Sequence, residues 1–184
     1  MKKLMIGLCI LSGFMVGFHA VALLSSTPKP QEAETYIVHD KQELQAALGV
    51  AKGGDTVQVM GEWYDSLQFG KLVYPDGNPL LVEGAGCTLK HGLSVMDSHN
   101  ITFTRFHIKG GTGTAGAELN DSYPDIGLRN ITFDKFIIEP PAGPRGIFAG
   151  GHNMRGIKIK NTIIVGPIGG THGIYLSGGA FDDT

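Results

Sequence analysis

Asn100-Ile-Thr-Phe-Thr-Arg-Phe-His-Ile-Lys109 and Asn130-Ile-Thr-Phe-Asp-Lys-Phe-Ile-Ile-Glu139 are two versions of one phrase, starting 30 residues apart. A third version, Gly156-Ile-Lys-Ile-Lys-Asn-Thr-Ile-Ile-Val165, starts 26 residues after the second. A different column recurs between them: Gly92-Leu93-Ser94, Gly116-Ala117-Glu118, Gly146-Ile147-Phe148 and Gly173-Ile174-Tyr175, with glycines 24, 30 and 27 residues apart. Two independent columns that share one irregular period mark a repeat architecture. A period in the middle twenties, made of short alternating strands, fits the coils of a parallel β-helix, with insertions absorbed in the turns.

Each coil lays its strands on those of the neighbouring coil and turns every second side chain inward. Ile101, Phe103, Ile131, Phe133, Ile157 and Ile159 are therefore expected to stack as inward ladders. Strict hexapeptide repeats are absent, which disfavours a left-handed triangular helix. The fold class expected is all-β: a right-handed, single-stranded parallel β-helix of about five coils over residues 55–184. Upstream, Tyr36 to Val38 reads as a short strand and Asp40 as a helix N-cap. Leu44, Ala47 and Leu48 share one helical face up to about Lys52, where Gly53-Gly54 stop the helix. That helix is expected to cap the N-terminal end of the stack. No further helix is read after Gly54.

Composition agrees. The 184 residues include 28 glycines without a collagen period, 42% hydrophobic and 17% charged residues, which suits a packed, turn-rich domain. Lys+Arg 15 against Asp+Glu 17 gives a formal net charge of -2, which argues against nucleic acid or an anionic membrane as partners through bulk charge. Residues 1–22 read as a signal peptide: Lys2 and Lys3, an apolar run from Leu4 to Phe18, and Ala20-Val21-Ala22 as cleavage site. An uncleaved anchor is the alternative, since the uncharged run continues through Leu24. Cleavage after Ala22 implies a secreted or periplasmic protein with no membrane contact. It removes two lysines and no acid, taking the net charge from -2 to -4. Residues 23–35 read as a linker and 36–184 as the β-helix domain. Only Cys87 then remains, so no intramolecular disulfide can form, and Cys87 reads as a small buried filler.

The stretch LQAALGVAKGGDTVQVMGEWY, followed by NPLLVEG, HNITFTRFHIKG and THGIYLSGG, resembles the pectate-lyase-like superfamily of secreted right-handed parallel β-helix proteins. Its opening is most similar to polysaccharide lyases acting on alginate or chondroitin, in which a capping helix precedes a GDT strand. The likeness covers about residues 36–179. It implies an acidic polysaccharide as partner and substrate laid across an exposed sheet face. It leaves the reaction open, since such families also include glycoside hydrolases, uronate epimerases, tail spikes and non-catalytic binding proteins.

Lyase chemistry needs a base for the proton beside a uronate carboxyl, and a cation, Ca²⁺ or Arg/Lys, to neutralise that carboxylate. Strand alternation places Thr102, Thr132 and Lys158 in one outward column and Thr104, Asp134 and Lys160 in the next. Lys158, Lys160 and Asp134 are catalytic candidates, and an exposed salt-bridged strand face is the plain alternative. A second outward face carries Ser94, Glu118, Phe148 and Tyr175, preceded by His91, Ala115, Arg145 and His172. There Phe148 and Tyr175 could offer flat surfaces to sugars, with Arg145 and His91 reaching polar groups and His172 as a fourth catalytic candidate. The plain alternative is a turn that covers the rings.

Asn100 and Asn130 occupy equivalent turn positions suited to an Asn ladder, and both also read as N-x-T sequons. Asp182-Asp183 is similar to the paired acids of β-helix glycosidases, without their surroundings. No Ca²⁺ loop, metal-binding His/Cys set or phosphate loop is legible. No cofactor is implied beyond Ca²⁺. Nothing in the sequence after Gly173 to Leu176 reads as a cap. A C-terminally incomplete chain, closure by homo-oligomerisation through that coil, or a small binding module is therefore expected. Two function classes stay open: a lyase on an acidic polysaccharide, and a non-catalytic glycan-binding or structural module.

Overall fold

The computed structural model describes residues 32–122, 126–139, 145–165, 172–178 and 181–182, with 178, 181 and 182 described by backbone alone. The expected leader at 1–22, the expected linker as far as residue 31 and Asp183 lie outside the described residues.

The chain enters through β1 (Thr35–Val38) and α1 (Lys41–Val50), then winds through triplets of strands. These are β2 (Thr56–Val59), β3 (Gly61–Trp63) and β4 (Leu67–Gly70), then β5 (Leu80–Glu83), β6 (Cys87–Leu89) and β7 (Leu93–Met96). The third and fourth triplets are β8 (His99–Thr104), β9 (His107–Ile108) and β10 (Ala117–Asn120), and β11 (Leu128–Asp134), β12 (Ile137–Ile138) and β13 (Arg145–Gly151). The fifth splits its first strand into β14 (Met154–Arg155) and β15 (Lys158–Lys160) and continues with β16 (Ile163–Ile164) and β17 (His172–Gly178); β18 (Phe181–Asp182) follows.

Every strand pairs in parallel with its equivalent one coil away, which builds three sheets. The first runs β1-β2-β5-β8-β11-β14-β18 with β15 also on β11, the second β3-β6-β9-β12-β16, and the third β4-β7-β10-β13-β17. This is the all-β parallel β-helix that the repeat predicts. Among the described residues its 5-stranded sheets make about four coil-to-coil steps, and α1 is the one helix.

The register explains both sequence columns. Ile131 lies beside Ile101 and Phe133 beside Phe103, and all four are buried. Phe69, Phe103 and Phe133 form an edge-to-face ladder with centroids 4.8 and 5.6 Å apart, and Phe136 sits 4.8 Å from Phe133. Ile157 and Ile159, one coil further on, are half-buried. At two positions of the glycine column the second sheet packs close: a Cβ on Gly116 would stand 2.5 Å from Ile138 Cγ2 and 3.0 Å from the Gly146 carbonyl, and one on Gly146 would collide with Ile164 Cγ2.

The Asn ladder forms, within strands rather than turns. Asn100 and Asn130 take left-handed φ values of 60° and 52°, which Asn tolerates better than most residues. Asn130 Nδ2 donates to Asn100 Oδ1 (2.8 Å), and Asn100 Nδ2 donates to the Tyr74 carbonyl (2.5 Å) and Asp76 Oδ1 (3.0 Å). Asn100 is 5% exposed, so its sequon is closed in the folded chain. Cys87 is buried, and burial pushes its thiol up to about 12, as suits a filler rather than a nucleophile.

A further ladder lies at the corners, where the sequence shows no hydrophobic pattern. Asp97, buried at the corner between the third and first sheets, accepts the Ser122 backbone N–H (3.0 Å) and the Ser122 hydroxyl. One coil later Asp121 accepts the N–H groups of His152 (2.7 Å) and Asn153 (2.5 Å). Asp97-Ser98 and Asp121-Ser122 are 24 residues apart, the same offset as Gly92 and Gly116.

At the N-terminal end Asp40 caps α1 through the Glu43 N–H (2.8 Å), and Glu43 Oε2 accepts the His39 N–H (2.7 Å). The helix ends at Val50, slightly before Lys52, because Ala51 is already extended. Leu44 and Ala47 are buried, and Leu44 meets Trp63 and Leu67 of the first coil around a cavity of about 30 Å³. Asp55 of the GDT stretch is buried and accepts the N–H groups of Glu34 (2.9 Å) and Lys52 (2.7 Å). One carboxylate thus ties the approach to β1, the helix exit and the start of β2 together. Thr35 opens β1, one residue earlier than the linker boundary expected.

Candidate functional site

Strands present alternate side chains outward, and equivalent residues of neighbouring coils stand about 4.8 Å apart, so each outward face is a grid of short columns. On the first sheet the register brings Thr102, Thr132 and Lys158 into one column and Thr104, Asp134 and Lys160 into the next. The three catalytic candidates of this face therefore do meet as neighbours on it. Lys158 and Lys160 are exposed, and no ion pair joins Lys160 to Asp134; the Asp134 carboxylate accepts Asn161 Nδ2 (2.8 Å) instead.

The same grid holds residues that strand alternation alone does not single out. His99, Arg129 and Arg155 form the column just before the Asn ladder. Arg105, Lys135 and Asn161 follow the strands, each with left-handed φ (61°, 59° and 49°). Arg105 is committed to Glu83 (Nη1 to Oε1, 2.7 Å), and His99 Nε2 lies 3.2 Å from the Ile126 carbonyl. Arg129, Lys135, Lys158 and Lys160 are exposed and make no ion pair among the described residues. The sequence does carry a signal for both Arg129 and Lys135: Arg129 immediately precedes the repeated phrase, and Lys135 is its sixth residue, aligned with Arg105, where the strand alternation breaks.

The third sheet carries the second candidate face. The register aligns Ser94, Glu118, Phe148 and Tyr175 in one column and sets Arg145 beside His172. Phe148 and Tyr175 stack on each other, centroids 5.9 Å apart and planes at 14°. The Arg145 guanidinium lies against both rings, with Cζ 4.9 Å from the Phe148 centroid and 4.5 Å from that of Tyr175. The His172 ring lies 5.1 Å from Tyr175. The Phe148 ring rests over Gly150, where any Cβ would collide with its Cζ. Arg145, Phe148, Tyr175 and His172 thus form one cluster, built around a clamped cation rather than a bare aromatic platform. His172 belongs to this sheet and does not join Lys158, Lys160 and Asp134. His91 is exposed, with Ala115 between it and Arg145 along the stack, and stays outside the cluster.

On the second sheet's face side chains of opposite character meet. Lys90 Nζ lies 3.0 Å from Glu62 Oε1, Tyr64 donates to Glu62 Oε2 (2.9 Å), and His107 Nε2 lies 3.2 Å from Glu139 Oε1. The Lys90 ammonium and the Tyr64 hydroxyl, bonded to Glu62, hold its carboxyl below the usual range. Among the described residues no three His, Cys, Asp or Glu gather as a metal site would require.

No protein-family model matches the sequence, and no curated protein does. Among solved structures the chain is similar to a PL6 family alginate lyase, AlyGC, solved as an arginine-to-alanine mutant. The TM-score is 0.54 and the identity 16%, over 76% of this chain and 21% of that one. The chain therefore spans about a fifth of that lyase's length. What the two share is the parallel β-helix.

Proposed function

We propose that the protein binds an acidic polysaccharide across the outward face of its first sheet and cleaves it by β-elimination. One observation carries this reading: Arg129, Lys135, Lys158 and Lys160 stand on one face without acid partners among the described residues, in a chain whose net charge is -2. Unpaired surface cations repel each other, and a polyanion laid over them removes that cost. The fold shared with an alginate lyase supports a uronate polymer as the ligand. The leader at 1–22 would export the protein to where such polymers lie.

In this scheme Arg129 and Lys158 neutralise the uronate carboxylate, which acidifies the proton on the carbon bearing it. Lys160, in its amine form, removes that proton. The electron pair forms the C4–C5 double bond, the C4–O glycosidic bond breaks, and the departing oxygen takes a proton from solvent water. Asp134, next to Lys160 in the column and held by Asn161, stabilises the ammonium that forms when Lys160 takes the proton. Ca²⁺ would supply further neutralisation of the carboxylate if the reaction uses it.

A binding module without catalysis is the second reading. What favours it is that His172 stands on another sheet, leaving the lysines and the already bonded His99 as the bases of this face. Alginate, pectate and chondroitin, each with Ca²⁺ or with EDTA, would be followed by the ultraviolet absorbance of the unsaturated uronate. Product from one polymer, abolished in Lys160→Ala, is expected. Binding without product, weakened in the Lys158→Ala/Lys160→Ala double variant, would establish the second reading. Neither product nor binding would overturn both.

A further inference from the structure

The cluster on the third sheet is built around an unsatisfied guanidinium. Arg145 Nε is buried and has no hydrogen-bond partner among the described residues. Among the described residues Arg145 makes no ion pair. Glu118 is the nearest acid by register, one coil before Phe148, and it does not pair with Arg145. Two stacked rings hold the guanidinium in place, and cation–π contact of this kind fixes a side chain that would otherwise lose several rotamers on binding. An arginine restrained in this way, with its N–H donors uncommitted, has the form of a carboxylate receptor. His172 beside it in the register and the Tyr175 hydroxyl add donors suited to sugar hydroxyls.

We propose that Arg145, His172 and Tyr175 form a second carboxylate-binding site, specific for a single uronate unit and separate from the cationic face of the first sheet. The two sites lie on different sheets, so one molecule engages acidic glycan at two faces. The choice of a uronate as ligand rests on the acidic-polysaccharide reading; the receptor itself rests on the Arg145 clamp. Phe148 and Gly150 are positioning residues. Phe148 presses on the guanidinium, and Gly150 leaves the space that the Phe148 ring occupies.

The test uses the full chain with ¹³C-labelled aromatic and histidine side chains, titrated with a diuronate and, as the neutral counterpart, its methyl ester. Saturable shifts of the Tyr175 and His172 ring signals are expected in the wild type. The same shifts are expected in the Lys158→Ala/Lys160→Ala variant, which disables the first-sheet face. The methyl ester and Arg145→Gln should each weaken them by about tenfold or more, the scale of losing a charge-assisted bidentate contact. Gly150→Ala should weaken them through Phe148. The amide spectrum reports whether each variant folds. If Arg145→Gln does not, Arg145→Lys, which keeps the charge and loses the fork, replaces it with the same expectation. Ring signals that do not move with diuronate, or that move equally with the ester or in the Arg145 variant, would overturn the proposal. Ring shifts that persist while no polymer binds the first sheet would sink the first-sheet function and leave this site standing.

Discussion

Gly116 and Gly173 occupy the same column of the repeat, yet they meet different surroundings. A Cβ at Gly116 would lie 2.5 Å from Ile138 Cγ2 and 3.0 Å from the Gly146 carbonyl, and backbone can yield little. At Gly173 nothing among the described residues lies within 4 Å. Gly116→Ala should therefore destabilise the fold by about 1–3 kcal/mol, the usual cost of overpacking. Gly173→Ala should stay within about 0.5 kcal/mol of the wild type. Urea unfolding of the two variants checks this, and equal losses would mean that the glycines answer to backbone freedom rather than to close approach. The same residue-scale logic explains why the Arg145 clamp is not legible in the sequence. Alternation puts Phe148 and Tyr175 outward in neighbouring coils, but whether two rings lie flat to solvent or stack on each other depends on rotamers. Those rotamers are set here by the missing side chain at Gly150.

Elements are legible to the degree that their period is. The strands of the first sheet repeat a ten-residue phrase, so alternation alone places Ile101, Phe103 and their equivalents inward, and Lys158 and Lys160 outward. Arg129 and Lys135 escape it because they sit where left-handed residues interrupt the alternation, at Asn130 and at Lys135 itself. Corners carry little hydrophobic pattern, which hides the Asp97 and Asp121 caps. The N-terminal cap shows how unequal two legible acids are. Asp40 satisfies one exposed helix N–H, and Asp40→Ala should cost about 1 kcal/mol. Asp55 is buried and receives N–H groups from two separate segments. Removing it leaves those donors without acceptors, at about 1–3 kcal/mol each. Asp55→Ala should therefore lose more than twice what Asp40→Ala loses, with amide exchange faster at both Glu34 and Lys52. A loss no larger than that of Asp40→Ala would mean that water replaces the carboxylate without cost.

Charge is distributed along the stack in a way that net charge conceals. Residues 32–90 hold nine acids and four lysines, whereas residues 91–165 hold eight Lys and Arg and six acids. The early coils therefore repel a polyanion and the later coils attract it, so under the function proposed above an acidic glycan would favour the part of the first sheet spanned by β8, β11, β14 and β15. Glu83, in β5, marks the border: its carboxylate neutralises Arg105 of the next coil. Glu83→Gln removes an early-coil charge and frees Arg105 at the same time. It should raise affinity for an acidic polysaccharide by about two- to fivefold at low ionic strength, the scale of one partly screened surface charge pair. Lys135→Gln should lower affinity by a similar factor. Both effects should shrink as salt approaches physiological strength, where the screening length falls to about 8 Å. Titrating the two variants against one polymer at low and high salt would decide the matter. If Glu83→Gln left affinity unchanged at low salt while Lys135→Gln lowered it, contact rather than field would govern binding, and the glycan would cross the stack without reaching the Arg105 coil.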